Sequence, residues 1–519
     1  MVEYDLLIRG GRVVDGSHGA VPFPADVAVR GDRIAAVGPL SDARAAIVIE
    51  ASGRLVSPGF IDPHVHSETA LRGNRDEFGA LLQGVTTHLT GADGFGWAGV
   101  GDQDVASLWQ STAFAYGQGE MHPNWPSPGR YLESFHDLPL NVAALAPHQA
   151  IRFGTLGWTD RPATRAELRA MRRSTREWLE AGAVGLATGL DYQPAASATT
   201  EELVALCREA AAAGVVYAPH QRYNELGRAG AFAETIEIGR RAGIAVAVSH
   251  EFVDDETEPI LDGARADVDI TIDWYLYPAG STHLLSLLPV AEAAGGPRAV
   301  RARLSDPGEK ERVARLFDES LEQSSRSGAR EYFSATRTGR HIGRSIAEVA
   351  SQAGASRGET AVDLLLEEMP DALLVFRRNT PPETFAALAR RTLAWPGFMV
   401  ASDGIYHGAL PHPRAFGCFA RVLGQFVRTD RAISIGDAVY RMAGFPAERY
   451  RLRDRGRIAA GLAADLVVFD PETVDGPATW DEPRLPPTGI DAVILNGALV
   501  VDHGLPTGLR RGRVLRREG

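Results

Sequence analysis

A long alternation of apolar, strand-like runs with helical stretches constrains the fold of this sequence more than any other feature. Eight apolar runs are separated by segments with helical periodicity, for example 164–181 and 200–213. Such alternation is typical of βα repeats around a parallel sheet. Eight repeats predict an α/β fold of the (β/α)8 TIM type, in which catalytic groups lie at the carboxyl ends of the strands. The predicted strands are 55–61, 86–90, 141–146, 184–187, 215–218, 245–249, 269–273 and 397–401.

The two ends of the chain differ from its middle. The first fifty residues contain short apolar runs between Gly and Asp breaks, and 465–469 and 491–501 are β-rich, with an Asn496-Gly497 turn. Neither end alone makes a convincing core, so we predict that both contribute to one small sheet domain. The stretch 297–383 is too long for a single connection. It predicts extra helices and a small excursion around 372–377.

Four short segments place a His or an Asp directly after a predicted strand. His64 and His66 are two residues apart, so both side chains point to one face of an extended strand. Imidazole pairs suit a zinc-class metal, and an Asp after a later strand could move the proton of a water on that metal. Each segment alone has an ordinary explanation, such as a helix N-cap, but the four together favour metal-dependent hydrolysis. The segments are 61–66, 218–220, 248–250 and 400–403.

The composition excludes several other classes of protein. The 519 residues are 45% hydrophobic and 23% charged, as in a soluble globular enzyme. The net charge of −12 without a Lys/Arg block argues against a nucleic-acid partner. No apolar run is long enough for a bilayer, and the first residues lack the pattern of a signal peptide. We therefore expect a cytoplasmic protein with a small-molecule substrate and a possible homo-oligomer, and Cys207 and Cys418 indicate no disulfide framework.

Several motifs together resemble the amidohydrolase superfamily, and within it the N-acyl-D-amino-acid deacylases. The resemblance covers nearly the whole chain and rests on Gly59-Phe60-Ile61-Asp62-Pro63-His64-Val65-His66, Thr188-Gly189-Leu190, His220-Gln221-Arg222, Ser249-His250, Ser402-Asp403-Gly404 and the segments 273–277, 411–414 and 454–471. It implies a barrel joined to a β-sandwich built from both termini. The implied domains are 1–56 and 456–519 for the two parts of the β-sandwich, and 57–455 for the barrel with its inserted helices.

The resemblance also implies zinc at the strand ends. His64 and His66 match the ligand pair from the first strand, and His220 and His250 match ligands from the fifth and sixth strands. Asp403 matches the carboxylate that acts as general acid and base after the eighth strand. It would take a proton from water and deliver it to the leaving amine.

One predicted ligand departs from the deacylases. A Cys ligand usually follows their second strand, whereas this sequence has Asp93 at that position. A carboxylate can also bind or bridge zinc, and as a harder donor it tolerates other divalent metals. We therefore expect one or two Zn²⁺ ions, with another divalent metal possible. The alternative is that Asp93 is a turn residue that caps the next helix.

Six further residues match substrate-pocket positions of these deacylases. Arg414 matches an arginine that holds a substrate carboxylate. Arg222 could instead form a structural ion pair, and the tyrosines of the 273–277 segment could either donate to the carbonyl oxygen or pack. Phe252 replaces a basic residue that commonly helps to bind the carboxylate. The six predicted residues are Tyr192, Arg222, Phe252, Tyr275, Tyr277 and Arg414.

The leading functional hypothesis is therefore hydrolysis of the C–N amide bond of an N-acyl-D-amino acid or a related compound. Alternatives are a cyclic amide, urea-type or non-carboxylate N-acyl amine substrate, or a non-catalytic ligand-binding barrel. Because Phe252 removes one cationic partner of a buried carboxylate, we expect weak activity on simple N-acetyl-D-amino acids. Better substrates would be bulkier or less anionic near Phe252.

Overall fold

The computed structural model describes residues 3–73, 78–117, 123–369 and 372–517. Its central feature is a sheet of eight parallel strands, in which each strand after the first pairs with the preceding strand of the same sheet. The predicted barrel is thus confirmed. Its strands are β1 (Phe60–Asp62), β2 (Val85–Thr90), β3 (Asn141–Pro147), β4 (Gly185–Gly189), β5 (Val216–His220), β6 (Val246–Val248), β7 (Ile270–Trp274) and β8 (Phe398–Val400).

The first and last strands of the sheet meet at the carboxyl edge. Strand Gly404–Ile405 runs parallel to Val65–His66 and pairs with it. The Asp403 backbone N–H donates to the His64 carbonyl at 2.8 Å. These contacts lie just beyond β1 and β8, so they place the residues that follow the first strand beside those that follow the last.

Helices cover the outside of the barrel between consecutive strands. The predicted helices 164–181 and 200–213 are confirmed as Arg165–Glu180 and Thr200–Ala212, with Thr164 and Thr199 as their N-caps. Thr164 forms a capping box with Glu167, which satisfies backbone donors at the helix start. The other α-helices of the barrel segment before the insertion are Val105–Ser111, Ala113–Tyr116, Pro128–Glu133, His148–Leu156, Tyr223–Ala242 and Thr257–Ala264.

A long insertion follows β7 and forms a unit with its own hydrophobic cluster. Strand Leu373–Arg378 lies between Ala279–His283 and Ala329–Ala335, and both pairings are antiparallel. The predicted excursion around 372–377 and its extra helices are thereby confirmed. The helices from the insertion onward are Gly296–Arg303, Pro307–Arg326, Ile346–Ala353, Arg357–Glu368, Pro382–Ala394, Arg414–Arg421, Val422–Thr429, Ile435–Val439, Tyr440–Gly444 and Phe445–Arg449.

Strands from both ends of the chain share one sheet, as predicted. In that seven-stranded sheet, Leu55–Pro58 pairs with Leu466–Phe469. A four-stranded sheet of N-terminal strands packs against it through a shared hydrophobic cluster. The other strands of the two sheets are Tyr4–Arg9, Arg12–Val13, Phe23–Pro24, Asp26–Arg30, Arg33–Gly38, Ala45–Glu50, Ile490–Leu495, Ala498–Asp502 and Leu505–Pro506, while Val514–Leu515 pairs with β3.

The predicted first strand, 55–61, is wrong in its extent. The chain breaks at Gly59 into Leu55–Pro58, which belongs to the terminal sheet, and β1. A Cβ at Gly59 would lie 2.2 Å from Thr86 Oγ1, so only glycine fits where the chain passes from one sheet to the other. No helix in the described part of the chain is both long and apolar enough to cross a membrane.

Candidate metal centre

Asp93 lies among four histidines at the carboxyl edge of the barrel. Its Oδ1 is 3.5 Å from His64 Nε2, 3.7 Å from His220 Nδ1 and 3.8 Å from His250 Nε2. Its Oδ2 is 3.5 Å from His66 Nε2. These side chains come from the ends of β1, β2, β5 and β6. The structure therefore brings the five predicted metal ligands into one cluster, because parallel strands end at the same edge of a barrel.

Backbone strain accompanies three of the residues at this edge. Asp93, His250 and Asp403 have φ angles of 54°, 44° and 45°, in the left-handed region that non-glycine residues seldom adopt. Such conformations persist only where the surrounding structure enforces them, and they are concentrated at functional sites. Each follows the end of its strand within three residues, where its side chain belongs to the cluster or faces it.

Two aspartates to which the sequence analysis assigned no role contact the histidines. Asp191 Oδ2 lies 3.1 Å from His220 Nε2, which leaves Nδ1 of that ring facing His250 Nε2 at 2.8 Å. Asp273 Oδ1 accepts from the His250 backbone N–H at 2.9 Å. Asp191 does stand next to the predicted residue Tyr192, but nothing in the sequence indicates that it reaches a histidine of the next strand.

The electrostatics of the cluster favour a positive charge between the histidines. Burial lowers the pKa of His64 to about 4. Burial also acts to lower the pKa of His66, but contacts with Asp403 and Asp93 raise it to about 10. Burial acts to raise the pKa of Asp93, yet the surrounding histidines hold it well below its usual range. The carboxylates of Asp93 and Asp403 face imidazole nitrogens, and together they provide the negative charge that balances a divalent cation.

Asp403 presents its two oxygens to different partners. Oδ1 lies 3.4 Å from His66 Nε2 and 3.7 Å from His64 Nε2, whereas Oδ2 lies 2.7 Å from Arg414 Nη2. Burial acts to raise the pKa of Asp403, but the Arg414 guanidinium and the histidines hold it well below its ordinary value. Arg414 is 1% exposed and also stacks on Tyr275, with its Cζ 4.1 Å from the ring centre. Asp403 is therefore an ionised carboxylate with one oxygen facing the histidines.

The donor set fits a metal ion. Two overlapping groups have ligand atoms within 4.8 Å of one another, namely His64 with His66 and Asp403, and His64 with Asp93 and His250. His64 Nε2 and Asp93 Oδ1 are buried and have no hydrogen-bond partner within the described chain. Buried polar atoms are nearly always satisfied, so two orphaned ligand atoms that face each other indicate a site for a cation.

A cavity of about 570 Å³ opens onto this cluster. Besides the ligands and Asp403, its wall contains aromatic residues that come from β4, β6 and β7 and the loops that follow them. The predicted pocket residues in that wall are Tyr192, Phe252, Tyr275 and Tyr277. An ordinary substrate pocket has this mixture of apolar rings and a few directed polar groups.

Phe252 lies in the cavity wall, and one face of its ring is covered by the protein itself. The Arg228 guanidinium carbon is 4.2 Å from the ring centre. Arg228 is in turn paired with Glu251 at 2.7 Å and with Asp254 at 2.5 Å. Arg228 therefore covers one face of the ring, and the rest of Phe252 forms an apolar part of the cavity wall.

Arg222 does not point toward the substrate cavity. Its Nη2 donates to the Ala198 carbonyl at 2.8 Å, its Nη1 donates to the Ala196 carbonyl, and its Nε lies 3.1 Å from Glu234. The side chain is buried, with 5% of the residue exposed. The prediction of a substrate contact is therefore corrected to the alternative, a structural ion pair, because the charge is used to fasten the loop before Thr200–Ala212.

Fold and site together define a class of protein. A parallel eight-stranded barrel with a histidine and aspartate cluster at its carboxyl edge, beside an ionised carboxylate that can exchange protons, is the arrangement of a metal-dependent hydrolase. Comparison with known proteins then identifies the family. The chain belongs to the amidohydrolase family, whose profile matches residues 47–276 and 306–501. It is a metal-dependent amidohydrolase, an enzyme class that acts on C–N amide bonds.

The chain is similar over nearly its full length to several named proteins. It is 34% identical to a D-aminoacylase of Alcaligenes xylosoxydans xylosoxydans, covering 99% of this chain and 98% of that protein. It is 35% identical to an N-acyl-D-glutamate deacylase of the same organism, covering 99% and 97%. The structure resembles an N-acyl-D-glutamate deacylase from Bordetella bronchiseptica, crystallised with zinc and a phosphonate inhibitor, with a TM-score of 0.81, 32% identity and 99% coverage of both chains.

Proposed function

We propose that this protein is a zinc-dependent hydrolase that cleaves the amide bond of an N-acyl-D-amino acid or a related N-acylated compound. The position of Asp403 supports this proposal most strongly, because one of its carboxylate oxygens faces His64 and His66 while the other is held by Arg414. Relatives named D-aminoacylase and N-acyl-D-glutamate deacylase support the substrate class, and the zinc in the Bordetella structure supports the metal.

We infer that His64, His66, His220, His250 and Asp93 hold one or two metal ions. When bound, the metal supplies Lewis-acid chemistry, which polarises a carbonyl group and makes water more acidic. Asp93 stands between the two pairs of histidines, which suits a bridging carboxylate. Because it replaces a thiolate, another divalent metal could support activity.

Asp403 holds and moves the proton in the proposed reaction. Its Oδ1 faces the histidine cluster and accepts a proton from the attacking water, because the carboxylate is ionised. Arg414 fixes Oδ2, so the proton has one acceptor atom. Asp403 then delivers the proton to the leaving nitrogen, which completes cleavage of the C–N bond and returns the carboxylate to its ionised state.

The cavity supports a substrate with a bulky apolar group. An apolar pocket adjoins the metal-centre cavity and shares Phe95, Phe114 and Tyr192 with it. Its other lining residues include Leu284, Leu285, Leu288 and Met369. Phe252 provides a further apolar wall. We propose that these surfaces bind the acyl group or the side chain of the substrate, while a carboxylate would have to reach Arg414 beside Tyr275.

A substrate panel tests the proposal. N-Acyl-D-amino acids with short and long apolar acyl groups, their L-enantiomers, their C-terminal amides and simple N-acyl amines should be assayed with the zinc-loaded enzyme. We expect amide hydrolysis that favours bulky apolar substrates over plain N-acetyl-D-amino acids. Turnover of the amides or N-acyl amines alone would favour the non-carboxylate alternative, and no hydrolysis of any compound by the metal-loaded protein would contradict the proposed function.

We further propose that the two terminal sheets form a β-sandwich, with domains at 1–56 and 456–519, beside a barrel domain at 57–455. Their shared hydrophobic cluster supports this division. The cytoplasmic location and the possible homo-oligomer stay predictions from the sequence.

A further inference from the structure

A buried hydrogen-bond chain leads away from His66. His66 Nδ1 lies 3.1 Å from Tyr116 Oη, and that hydroxyl donates to Glu68 Oε1 at 3.4 Å. The same carboxylate oxygen accepts from the Gly91 backbone N–H at 2.9 Å. His66 and Tyr116 are each 3% exposed, and Glu68 is 1% exposed, so water does not compete for these contacts.

The direction of these hydrogen bonds determines which ring nitrogen of His66 has the hydrogen. Because the Tyr116 hydroxyl donates to Glu68, its oxygen is left to accept from His66 Nδ1–H. In the neutral ring that a metal ion requires, the lone pair of His66 then lies on Nε2, the atom 3.5 Å from Asp93 and 3.4 Å from Asp403. A histidine that ligates a metal commonly donates its other N–H to a partner, which fixes the tautomer and the ring orientation.

We propose that Tyr116 and Glu68 are positioning residues that prepare His66 to bind the metal through Nε2. This inference rests on the proposed metal centre. Glu68 also holds the turn before Asp93, because it accepts from Gly91, so one carboxylate orients ligands from β1 and β2 together. The sequence analysis missed both residues, since Tyr116 comes from the separate helix Ala113–Tyr116 and only folding brings it to His66.

The environment of Tyr116 holds it rigidly enough for this role. Trp97 packs edge-on against the Tyr116 ring, with centroids 4.8 Å apart and planes at 87°. Thr69 Oγ1 donates to the Tyr116 carbonyl at 3.0 Å, which fastens the end of its helix to the loop after β1. The hydroxyl therefore has little freedom to move away from His66, and removing it should lower the affinity for the metal.

The test measures metal binding directly. Tyr116→Phe removes the acceptor of His66 Nδ1–H. Zinc should then bind about 10- to 100-fold more weakly, as measured by competition with a chelator. The matched control is Tyr217→Phe, which removes a buried tyrosine hydroxyl that contacts Thr188 at 2.9 Å and no proposed ligand. With cobalt in place of zinc, the ligand-field spectrum should change in Tyr116→Phe and stay unchanged in the control.

Two variants at Glu68 complete the design. Glu68→Leu removes the acceptor of the Tyr116 hydroxyl, which can then donate to His66 Nδ1, so metal affinity should fall. In the Tyr116→Phe background, Glu68→Leu should lower the metal affinity by less, because the two residues act on His66 through the same series of hydrogen bonds. Glu68→Gln keeps a carbonyl oxygen for Tyr116 and should restore most of the affinity.

The outcomes separate this inference from the proposed function. If the unchanged protein binds no zinc, the metal centre and the proposed function fail. If the unchanged protein binds zinc and Tyr116→Phe binds it within twofold, with the cobalt spectrum unaltered, the positioning role is wrong. Fully additive losses at the two sites would also contradict it. If Tyr116→Phe does not fold, the comparison of Glu68→Leu with Glu68→Gln decides, and equal affinities in those two variants would overturn the proposal.

Discussion

At the scale of single residues, the chemistry of this protein depends on how two aspartates are surrounded. Asp93 faces four imidazole rings, and Asp403 lies between a guanidinium and two of those rings. Both have a pKa below the ordinary range although burial acts in the opposite direction. Their negative charges are therefore maintained by neighbours, and changing either carboxylate should change function more than fold.

Asp403→Asn should abolish most turnover without removing the metal. An amide cannot accept the proton of the attacking water, so we expect a loss of about a hundredfold to ten-thousandfold in kcat. The metal content, measured by atomic absorption, should stay near that of the unchanged protein because all five proposed ligands are intact. Asp32→Asn is the control, since Asp32 pairs with Arg513 and lies in the turn between the strands Asp26–Arg30 and Arg33–Gly38. Near-normal turnover in Asp403→Asn would assign proton transfer to another residue.

Asp93→Cys should shift the preferred metal toward zinc, because a thiolate is a softer donor than a carboxylate. The φ angle of 54° suits Asp or Asn better than Cys, so we also expect a stability loss of about 1 kcal/mol. Competition between zinc and manganese, followed by metal analysis, measures the shift. Asp93→Asn keeps the backbone preference and removes only the charge. Identical metal preference and occupancy in the unchanged protein, Asp93→Cys and Asp93→Asn would show that Asp93 is a turn residue and not a ligand.

At the scale of elements, the site is assembled where the first and last barrel strands meet. Ser402 follows β8, its backbone N–H donates to Asp62 Oδ1 at 3.0 Å, and its hydroxyl donates to Asp62 Oδ2. The same hydroxyl accepts from the Gly404 backbone N–H at 2.9 Å. Asp403 lies between these two anchors, so the closure of the barrel also positions the proposed proton carrier.

Ser402→Ala should therefore loosen this closure. Removing the hydroxyl leaves a buried carboxylate oxygen of Asp62 and the Gly404 N–H without their partner, which should cost about 1–3 kcal/mol of unfolding free energy. Denaturant titration measures the loss, and kcat should fall because Asp403 is less well placed. Thr90→Val is the control, since that buried hydroxyl makes only a 3.4 Å contact with the Ala143 carbonyl. Equal stability of the two variants would show that this contact does not hold the barrel closed.

At the scale of the whole molecule, the barrel depends on contacts between distant parts of the chain. The strand before Gly59 lies in the terminal sheet and the strand after it begins the barrel. At the carboxyl edge of the barrel, the buried His64 Nε2 and Asp93 Oδ1 have no hydrogen-bond partner within the described chain. A ligand that binds only the folded state stabilises it by mass action, so a metal at that edge should stabilise the entire barrel.

Metal removal should therefore lower the melting temperature as well as the activity. A protein stripped with a chelator should unfold at a lower temperature, and added zinc should restore both the melting temperature and hydrolysis. Asp93→Ala, which lacks the central carboxylate, should respond much less to zinc. Calorimetry with and without metal measures the shift. Equal melting temperatures for the stripped and zinc-loaded protein would contradict a metal site in the described cluster.

Local patterns in the sequence were enough to predict the barrel and to place a His or an Asp at the ends of four of its strands. Strand and helix periodicity is a property of neighbouring residues, and parallel strands must end at one edge, so the sequence alone assigns His64 and Asp403 to the same place. The motif resemblance added the substrate class and the departure at Asp93.

Only the tertiary structure decided the contacts that join distant segments. Arg222 turns to Glu234 instead of the cavity, Arg228 covers Phe252, and Tyr116 reaches His66. Each of these depends on side-chain directions from two separate elements, which periodicity does not specify. The sequence by itself determined which residues end the strands; the packing of one segment against another determined which of those residues form the histidine and aspartate cluster, which line the cavity and which hold the others in place.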